Sequence, residues 1–229
     1  MLQKLNNDWQ DAINKVKAKF PHCFYYKKDK AKLKAFLSRE KIFVGFAGAG
    51  GVGKTSSIRK LQKLGFVKVT NTTTRPKRPL EQDGIDYYFV SDKQFEELKK
   101  SYAFANYEKK PNKGSYGLQK IHLIANLHYD KLAMDESPEA LNRIFTYTAK
   151  VDKSRTNFLV YLLPPEPTVE NLLKHLGYRH TALNKFEIER HIGTRLIDEF
   201  LKLLSVSHPK YKLVVCCGYS PSEIASLFK

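Results

Sequence analysis

Residues 42–55 read Ile-Phe-Val-Gly-Phe-Ala-Gly-Ala-Gly-Gly-Val-Gly-Lys-Thr, so an apolar segment directly precedes a glycine-rich turn. The apolar residues 42–47 are typical of a strand that is buried on both faces. After the turn, Ile58 and Leu61 follow at helical spacing, and the helical pattern stops at Gly65. The sequence therefore predicts a strand, a loop and a helix in immediate succession.

The loop between these elements has the spacing Gly-x-x-x-x-Gly-Lys-Thr over residues 48–55. Its glycines let successive backbone N–H groups turn inward around a phosphate, and the helix N-terminus adds its partial positive charge. Lys54 is expected to reach the β- and γ-phosphates of ATP, and the Thr55 hydroxyl to ligate Mg²⁺. The predicted ATP-binding residues are Gly48, Gly50, Gly51, Val52, Gly53, Lys54, Thr55 and Ser56.

From Lys41 onward, short apolar strands alternate with amphipathic helices along the chain. This alternation predicts an α/β fold, a nucleotide-binding core in which helices flank a parallel sheet. Ser91 with Gln94 has the spacing of a capping box, and Ser137 with Pro138 is typical of a helix start. The predicted strands lie near residues 42–47, 66–70, 87–90, 131–135, 158–163 and 211–217, and the predicted helices near 54–64, 91–100, 119–128, from 137 onward, 168–176, 186–204 and 222–228.

Residues 1–40 are interpreted as a basic helical arm that precedes the main domain over residues 41–229. Apolar residues recur at three- and four-residue steps, which indicates an amphipathic helix at the start of the arm. Such a stripe either docks on its own domain or contacts another molecule. The stripe consists of Leu2, Leu5, Trp9, Ile13, Val16 and Phe20.

The charge of the chain is strongly positive. Its 229 residues include 40 Lys and Arg against 23 Asp and Glu, a formal net charge of +17. Residues 1–41 hold eleven of these cations and only four acidic residues. Nucleoside phosphates, nucleic acid and an anionic membrane surface are all compatible partners, and so is a merely solvated basic face. Nucleic-acid binding through the basic arm therefore stays open.

Several other classes of protein fit the sequence poorly. The longest apolar runs, residues 42–50 and 158–163, are shorter than the roughly 18 residues that span a bilayer. The first residues have no secretory-signal pattern, which favours a cytoplasmic location. Only three cysteines occur, and the seven histidines lack the spacing of a zinc site. We expect neither a disulfide framework nor a structural metal.

Residues 71–90, Asn-Thr-Thr-Thr-Arg-Pro-Lys-Arg-Pro-Leu-Glu-Gln-Asp-Gly-Ile-Asp-Tyr-Tyr-Phe-Val, make the sequence resemble the guanylate kinase family. The resemblance extends, with gaps, from Lys41 to the C-terminus. One difference within the quoted segment is that a proline directly follows its first arginine, Arg75. The resemblance implies phosphoryl transfer from ATP to a nucleoside monophosphate, an acceptor-binding insertion at about 70–116 and a lid at about 178–190. The matching residues are Thr73, Thr74, Arg75, Arg78, Glu81, Gly84, Asp86, Tyr87 and Phe89.

The resemblance also implies roles for single residues. Two arginines three residues apart can clamp one phosphate, although the same segment by itself could be an exposed basic loop. Arg179 and Arg190 would be the lid arginines, with Arg195 possible in place of Arg190. The implied catalytic residues are thus Lys54, Arg75, Arg179 and Arg190, and the acceptor-binding residues are Asn71, Arg75, Arg78, Glu81, Tyr87, Asn106, Tyr116 and Asp135, with Asp130 and Glu136 competing for the role of Asp135.

Three positions depart from the family pattern. Asn106 stands where the family has a glutamate that binds guanine, Leu118 where it has a serine, and Asn71 where it often has a second serine. A carboxylate suits the donor edge of guanine, whereas an amide suits a base that offers a donor and an acceptor. Three functions are left open: a nucleoside monophosphate kinase, a kinase of another phosphorylated sugar or of nucleic acid, and a non-catalytic binding module.

The replacement at position 106 generates a prediction about the acceptor base. We expect no strong preference for GMP, and Asn106→Glu is expected to shift relative kcat/KM toward GMP by about tenfold, or about 1.4 kcal/mol. The measurement is kcat/KM for GMP and the other monophosphates in both proteins. A strong wild-type preference for GMP would mean that another residue, such as Glu108 or Asp135, reads the base.

Overall fold

The computed structural model describes residues 2–48, 52–110, 114–163, 197–205 and 210–229, and these form two sheets with flanking helices. The strands are β1 (Phe24–Tyr25), β2 (Ile42–Ala47), β3 (Val67–Lys68), β4 (Thr72–Thr73), β5 (Tyr88–Phe89), β6 (Phe104–Lys110), β7 (Gly114–Gln119), β8 (Lys131–Asp135), β9 (Thr156–Leu163) and β10 (Lys212–Cys217). The helices are α1 (Leu2–Lys19), α2 (Lys30–Leu37), α3 (Lys54–Gln62), α4 (Asp92–Lys100), α5 (Lys120–Asn126), α6 (Pro138–Val151) and α7 (Pro221–Ser226). Residues 197–201 are also helical, and 3₁₀ turns lie at Lys27–Asp29 and Lys202–Ser205.

The larger sheet has the strand order β1-β10-β9-β2-β8-β3, and each neighbouring pair is parallel. Parallel strands need crossover connections, and helices supply them on both faces of the sheet. The α/β fold with a parallel sheet that the sequence predicts is therefore confirmed. The carboxyl ends of β2 and β8 lie side by side, since Phe46 pairs with Asp135.

Alternate residues of the central strands pack into two separate hydrophobic clusters. In β2, Phe43 and Ala47 belong to one cluster, whereas Ile42, Val44 and Phe46 belong to the other. The same alternation continues in β9 and β10, because successive side chains of a strand point to opposite faces. Both faces of the sheet are therefore covered, and no residue of β2 is exposed.

Local sequence signals set the starts of two helices as expected. The Ser91 hydroxyl accepts a hydrogen bond from the Gln94 backbone N–H, and the Gln94 side chain accepts one from the Ser91 backbone N–H. At α6, the Ser137 hydroxyl accepts from the backbone N–H of Ala140. These caps satisfy N–H groups that have no partner within the first helical turn.

The basic segment at the N-terminus packs against the main domain. The side chains of Trp9, Ile13 and Val16 on α1 are buried, and the Trp9 ring lies 5.1 Å from the ring of Phe200. Between α1 and α2, β1 joins the edge of the large sheet parallel to β10, a strand that the sequence did not predict. The part of the apolar stripe formed by Trp9, Ile13 and Val16 thus docks within this chain.

The second sheet has the order β5-β4-β7-β6 and lies in the segment predicted as an acceptor-binding insertion, residues 70–116. The β6–β7 hairpin was not predicted as strands. It pairs antiparallel with β4 through β7, and Thr72 faces Gly117 in that register. Of the predicted acceptor-binding residues, Asn106 and Tyr116 lie on the strands of this small sheet, and five others lie next to β4 or between β4 and β5, namely Asn71, Arg75, Arg78, Glu81 and Tyr87.

Among the described helices, none combines the length and apolarity needed to cross a bilayer. The three cysteines, Cys23, Cys216 and Cys217, are buried and free. Burial raises the pKa of the Cys217 thiol to about 11, so this thiol stays protonated at neutral pH. All three behave as small apolar side chains.

Arg155 holds together the end of the large sheet that lies opposite the glycine-rich turn. Its guanidinium donates to the backbone carbonyl oxygens of Ile42, Asp130, Leu127 and Tyr129 at distances of 2.8 to 3.2 Å. The side chain is fully buried, and its Nε donates to Asp152 at 3.0 Å. One side chain thus satisfies four carbonyl groups, one at the first residue of β2 and three in the connection between α5 and β8.

We predict that Arg155→Met lowers the free energy of unfolding by about 2 to 4 kcal/mol, because buried acceptors without a partner cost about 1 to 3 kcal/mol each. Arg155→Lys is expected to lose less, since an ammonium can still reach some of the carbonyl groups. Urea denaturation provides the measurement. The matched control is the exposed neighbour Lys153: if Lys153→Met destabilises the protein as much as Arg155→Met, the interpretation is wrong.

Candidate active site

The glycine-rich turn is held tightly between β9 and α7. Gly48 has a φ of +130°, and a Cβ at this position would lie 2.7 Å from the carbonyl oxygen of Leu162. Gly53 has a φ of +95°, and a Cβ there would lie 3.0 Å from Cγ of Pro221. Only glycine adopts these backbone angles without strain, and only glycine fits the space at Gly48. Gly50 and Gly51 lie outside the described residues.

Lys54 is the first residue of α3, and its side chain folds back over the turn. The Lys54 Nζ donates to the carbonyl oxygen of Gly48 at 2.6 Å. Thr55 and Ser56 follow in the first turn of the helix and are exposed. A cation and the open N-terminus of a helix thus converge beside the carboxyl end of β2, an arrangement suited to a phosphate group.

A cavity of about 200 Å³ joins this turn to the second sheet. The turn and two tyrosines, one on β7 and one directly before β5, both contribute to its lining. The residues that line it are Gly48, Lys54, Tyr87, Lys110, Tyr116, Asp135, Glu136, Ser137, Pro138 and Glu199. Five residues predicted for ATP or acceptor binding, Gly48, Lys54, Tyr87, Tyr116 and Asp135, are therefore brought together.

Asp135 and Thr55 are suited to a magnesium ion. Asp135 ends β8 and lines the same cavity as Lys54, while the Thr55 hydroxyl is exposed at the start of α3. Mg²⁺ prefers carboxylate and hydroxyl oxygens, and it usually keeps waters and nucleotide phosphates as its other ligands. Among the described residues, no group of three or more His, Cys, Asp or Glu could hold a metal by itself. The donor set fits a metal that arrives with a nucleotide.

Arg75 is fixed by a carboxylate. Its two terminal nitrogens donate to the two oxygens of Glu81 at 2.9 and 2.7 Å. The guanidinium also lies 5.2 Å from the ring centroid of Tyr87 and 5.7 Å from that of Phe89. The hydrogen bond from Arg75 holds the pKa of Glu81 below its usual range, and the backbone N–H of Arg78 donates to Glu81 as well. Glu81 therefore orients Arg75.

The Arg78 side chain is exposed, and it is not among the residues that line the cavity. Its positive charge nevertheless acts on Glu81, where together with Arg75 it lowers the pKa of the carboxyl. The clamp of one phosphate by Arg75 and Arg78 stays a prediction.

Two tyrosines line the cavity together with Lys54. The rings of Tyr87 and Tyr116 lie 6.0 Å apart, edge to face. Burial raises the pKa of Tyr87, and the negative charges of Asp135 and Glu136 raise it further. The Tyr87 hydroxyl therefore keeps its proton at neutral pH and can donate a hydrogen bond.

A lysine on the large sheet holds the turn that precedes Tyr87. The Lys68 Nζ donates to the carbonyl oxygens of Ile85 and Asp86 at 2.9 and 3.0 Å. Burial lowers the pKa of Lys68, while Asp135 and Asp86 oppose that change. Sequence reasoning missed Lys68, because no local sequence pattern around it indicates a hydrogen-bond partner 17 residues further along the chain.

A polar cluster lies at the end of the cavity near β6. The Asn71 side-chain nitrogen donates to Glu136 at 2.7 Å, and the Ser137 backbone N–H donates to the other Glu136 oxygen at 3.1 Å. Lys110 lies 2.7 Å from Glu108 and 3.7 Å from Glu136. Burial raises the pKa of Glu136, and Lys110 opposes the change. Sequence reasoning considered Glu136 but missed Lys110.

Asn106 is buried but does not line this cavity. Its side-chain oxygen accepts a short hydrogen bond from Nε of Arg143 on α6. A glutamate introduced at position 106 would meet the same guanidinium. The base preference predicted from Asn106 stays a prediction, and Arg143 is a partner that the sequence could not reveal.

The other predicted site residues are distributed as follows. Asp130 lies at the opposite end of β8 from Asp135, where its carbonyl oxygen accepts from Ile42 and Arg155, so it is remote from the cavity. Leu118 is buried in the core. The lid region and its arginines, Arg179, Arg190 and Arg195, lie outside the described residues.

Comparison with known proteins agrees with this geometry. A protein-family model described as guanylate kinase matches residues 39–185. The guanylate kinases of Coxiella burnetii and Thermus thermophilus are 39% and 43% identical over 70 residues, which are 30% of this chain and 34% and 31% of those proteins. The matched stretch thus spans about a third of the length of these curated relatives.

Two further similarities extend over more of the chain. The crystal structure of guanylate kinase from Anaplasma phagocytophilum has a TM-score of 0.50 at 15% identity and covers 81% of this chain and 80% of that chain, which supports the fold. The guanylate kinase of Rickettsia prowazekii is 30% identical over 142 residues, 61% of this chain and 68% of that protein. Because the family model matches more than half of the chain and this relative is matched over two thirds of its length, the chain belongs to the guanylate kinase family.

Proposed function

We propose that the protein transfers the γ-phosphoryl group of ATP to a nucleoside monophosphate, giving ADP and a nucleoside diphosphate. The observation that carries the proposal is that Gly48 and Lys54 of the glycine-rich turn line the same cavity as Tyr87 and Tyr116. A donor bound at the glycine-rich turn and an acceptor bound at the tyrosines would meet within it. Membership of the guanylate kinase family supports the same reaction.

The chemistry requires positioning more than proton transfer. A phosphate monoester has a second pKa near about 6, so the acceptor phosphate is largely dianionic at neutral pH and attacks without a strong base. Catalysis then consists of holding the two phosphates in line and neutralising the charge that spreads over the transferred group. Mg²⁺, held by Thr55 and Asp135 together with the nucleotide, would add positive charge at the bridging oxygens.

Each side of the cavity has donors for this task. On the donor side, the Lys54 ammonium donates a hydrogen bond to the carbonyl oxygen of Gly48. A β- or γ-phosphate bound at the turn would form an ion pair with this ammonium. On the acceptor side, Arg75 is oriented by Glu81, and the protonated hydroxyl of Tyr87 can donate to a phosphate oxygen. Preorganised donors of this kind do not have to reorient when the transition state forms.

The end of the cavity near Asn71 is suited to the nucleoside. Within the described part of the chain, the Asn71 side-chain oxygen is buried without a hydrogen-bond partner, although its nitrogen is bonded to Glu136. A base with an N–H group at its edge would supply the missing donor. We therefore propose that Glu136, which lines the cavity, and Asn71, which is bonded to it, contact the base in addition to the contact predicted for Asn106.

A coupled assay of ADP release tests the proposed reaction. It is run across the ribo- and deoxynucleoside monophosphates, with short DNA and RNA as competing acceptors. We expect turnover with at least one monophosphate, well above the rate of ATP hydrolysis alone. ADP release only with nucleic acid, or no release with any acceptor although ATP binds, would contradict the proposal and would favour a nucleic-acid kinase or a binding module, respectively.

Lys54→Ala is predicted to lower kcat by about 10² to 10³, because it removes a preorganised charge from the transferring phosphoryl group. Circular dichroism and the unfolding midpoint should change little, since Lys54 is the first residue of α3 and lies outside both hydrophobic clusters. Lys60→Ala is the matched control, an exposed lysine on the same helix. Full activity of the Lys54 variant would rule out the assigned donor site.

Arg75→Ala is predicted to lower kcat/KM for the acceptor by about 10- to 100-fold with little change in ATP affinity, since a charged hydrogen bond contributes about 1.5 to 3 kcal/mol. Glu81→Gln should give a smaller effect of the same kind, because it loosens Arg75 without removing it. The double variant should resemble Arg75→Ala alone, since both changes act through one group. Steady-state kinetics measures all three, and an effect on ATP alone would move Arg75 to the donor side.

A further inference from the structure

The β6–β7 hairpin presents a series of side chains on one face. In its register, Asn106 lies opposite Leu118, Glu108 opposite Tyr116, and Lys110 opposite Gly114. Alternate residues of a strand share a face, so Asn106, Glu108 and Lys110 follow one another on the same side of β6. Along this face of β6, Lys110 is therefore the next residue after Glu108, which pairs with Tyr116, and the second residue after Asn106.

Lys110 brings a positive charge into the cavity. Its Nζ lies 2.7 Å from an oxygen of Glu108, 3.7 Å from an oxygen of Glu136 and 4.7 Å from the ring centroid of Tyr116. Although burial acts in the opposite direction, Glu136 and Glu108 raise the pKa of Lys110, so the ammonium stays charged at neutral pH. An ammonium has three donors, and the side chain lines the same cavity as Lys54.

The two arginines of the surface loop are less available to an anion in the cavity. Arg75 already donates to both oxygens of Glu81 and to the carbonyl oxygen of Pro76. Arg78 is exposed and does not line the cavity. Among the described residues that line the cavity, the cations are Lys54, beside the glycine-rich turn, and Lys110, beside the tyrosines.

We infer that Lys110 binds the phosphate of the acceptor, as the cation that lines the cavity together with Lys54 and lies beside Tyr116. This inference rests on the proposed function, since it presupposes a phosphorylated acceptor beside Tyr116. Glu108 and Glu136 hold the ammonium over the Tyr116 ring, and an arriving phosphate oxygen takes the donor that the two carboxylates leave open. The contact is to the phosphate and not to the base, so it acts equally on every acceptor.

Replacing Lys110 by methionine removes the ammonium and keeps most of the side-chain length. Lys110→Met is expected to raise the acceptor KM by about tenfold or more, by the same factor for each monophosphate that the wild type accepts, because a charged hydrogen bond is lost. The KM for ATP should stay within about twofold of the wild type. Lys110→Arg should restore most of the loss, since a guanidinium also binds phosphate.

The neighbouring residue provides a matched control. Lys109 lies on the opposite face of β6 and is exposed, so Lys109→Met makes the same change in net charge at nearly the same place. Its acceptor KM should stay within about twofold of the wild type, which would separate a direct contact from a general loss of positive charge. An equal effect of both variants would overturn the inference.

The other possible results for the Lys110 variants also test the inference. If Lys110→Met is unstable because Glu108 and Glu136 lose their partner, the double variant Lys110→Met with Glu108→Gln keeps the net charge and must still raise the acceptor KM. A change below about threefold, or a change confined to one base, would overturn the phosphate contact. Absence of turnover in the wild type would refute the proposed function itself, whereas normal wild-type turnover with an unaffected Lys110→Met would refute only this inference.

Discussion

The carboxyl end of β2 is fixed by a helix packed on one face and by the neighbouring strand β9, and the candidate active site depends on it. At Gly45, a Cβ would lie 2.4 Å from Cδ2 of Leu141 and 2.8 Å from Cζ of Phe145, so α6 packs directly against the strand. At Gly48, a Cβ would meet the carbonyl oxygen of Leu162 in the neighbouring strand. Close packing of this kind deforms little, and it positions the phosphate-binding turn relative to every element that surrounds β2.

Three polar side-chain contacts set the distance between the glycine-rich turn and the small sheet. Lys68 bonds the turn before Tyr87, Asn71 bonds Glu136, and Arg143 bonds Asn106. Each contact joins the acceptor segment to the large sheet or to a helix packed on it. Hydrogen bonds are directional, and a buried polar group that loses its partner is costly, so these contacts favour one arrangement of the two sheets. The cavity lies between the parts that they connect.

Signals carried by neighbouring residues made much of this arrangement predictable. The glycine-rich turn, the capping box at Ser91 and the cap at Ser137 are local patterns, and the structure contains each of them where its residues are described. The alternation of strands and helices is also a pattern along the chain, and it predicted the parallel sheet. By contrast, β1 is two residues long and forms only because β10 offers an edge, which a chain pattern cannot reveal.

Contacts between distant residues account for what sequence reasoning missed. Arg155 meets carbonyl groups 25 to 28 residues and 113 residues away, and Arg143 meets Asn106 37 residues away. No spacing rule connects such pairs. Arg78 was predicted to act with Arg75 because the two are close in sequence; its side chain is exposed, and the shared phosphate contact stays a prediction. Lys110, in a segment without a clear strand pattern, comes close to Tyr116 only through the hairpin register.

The cavity has a mixed charge, whereas the whole chain is strongly positive. The chain carries a formal +17, yet the described cavity residues include Asp135, Glu136 and Glu199 beside Lys54 and Lys110. A diffuse positive field attracts polyanions from a distance and weakens with salt, without selecting among them. The cavity is lined by both cations and carboxylates. Binding of a phosphate is therefore favourable only where an oriented hydrogen-bond donor contacts it. Attraction and selection are thus separate properties of this protein, the first carried by the surface and the second by the residues around the cavity.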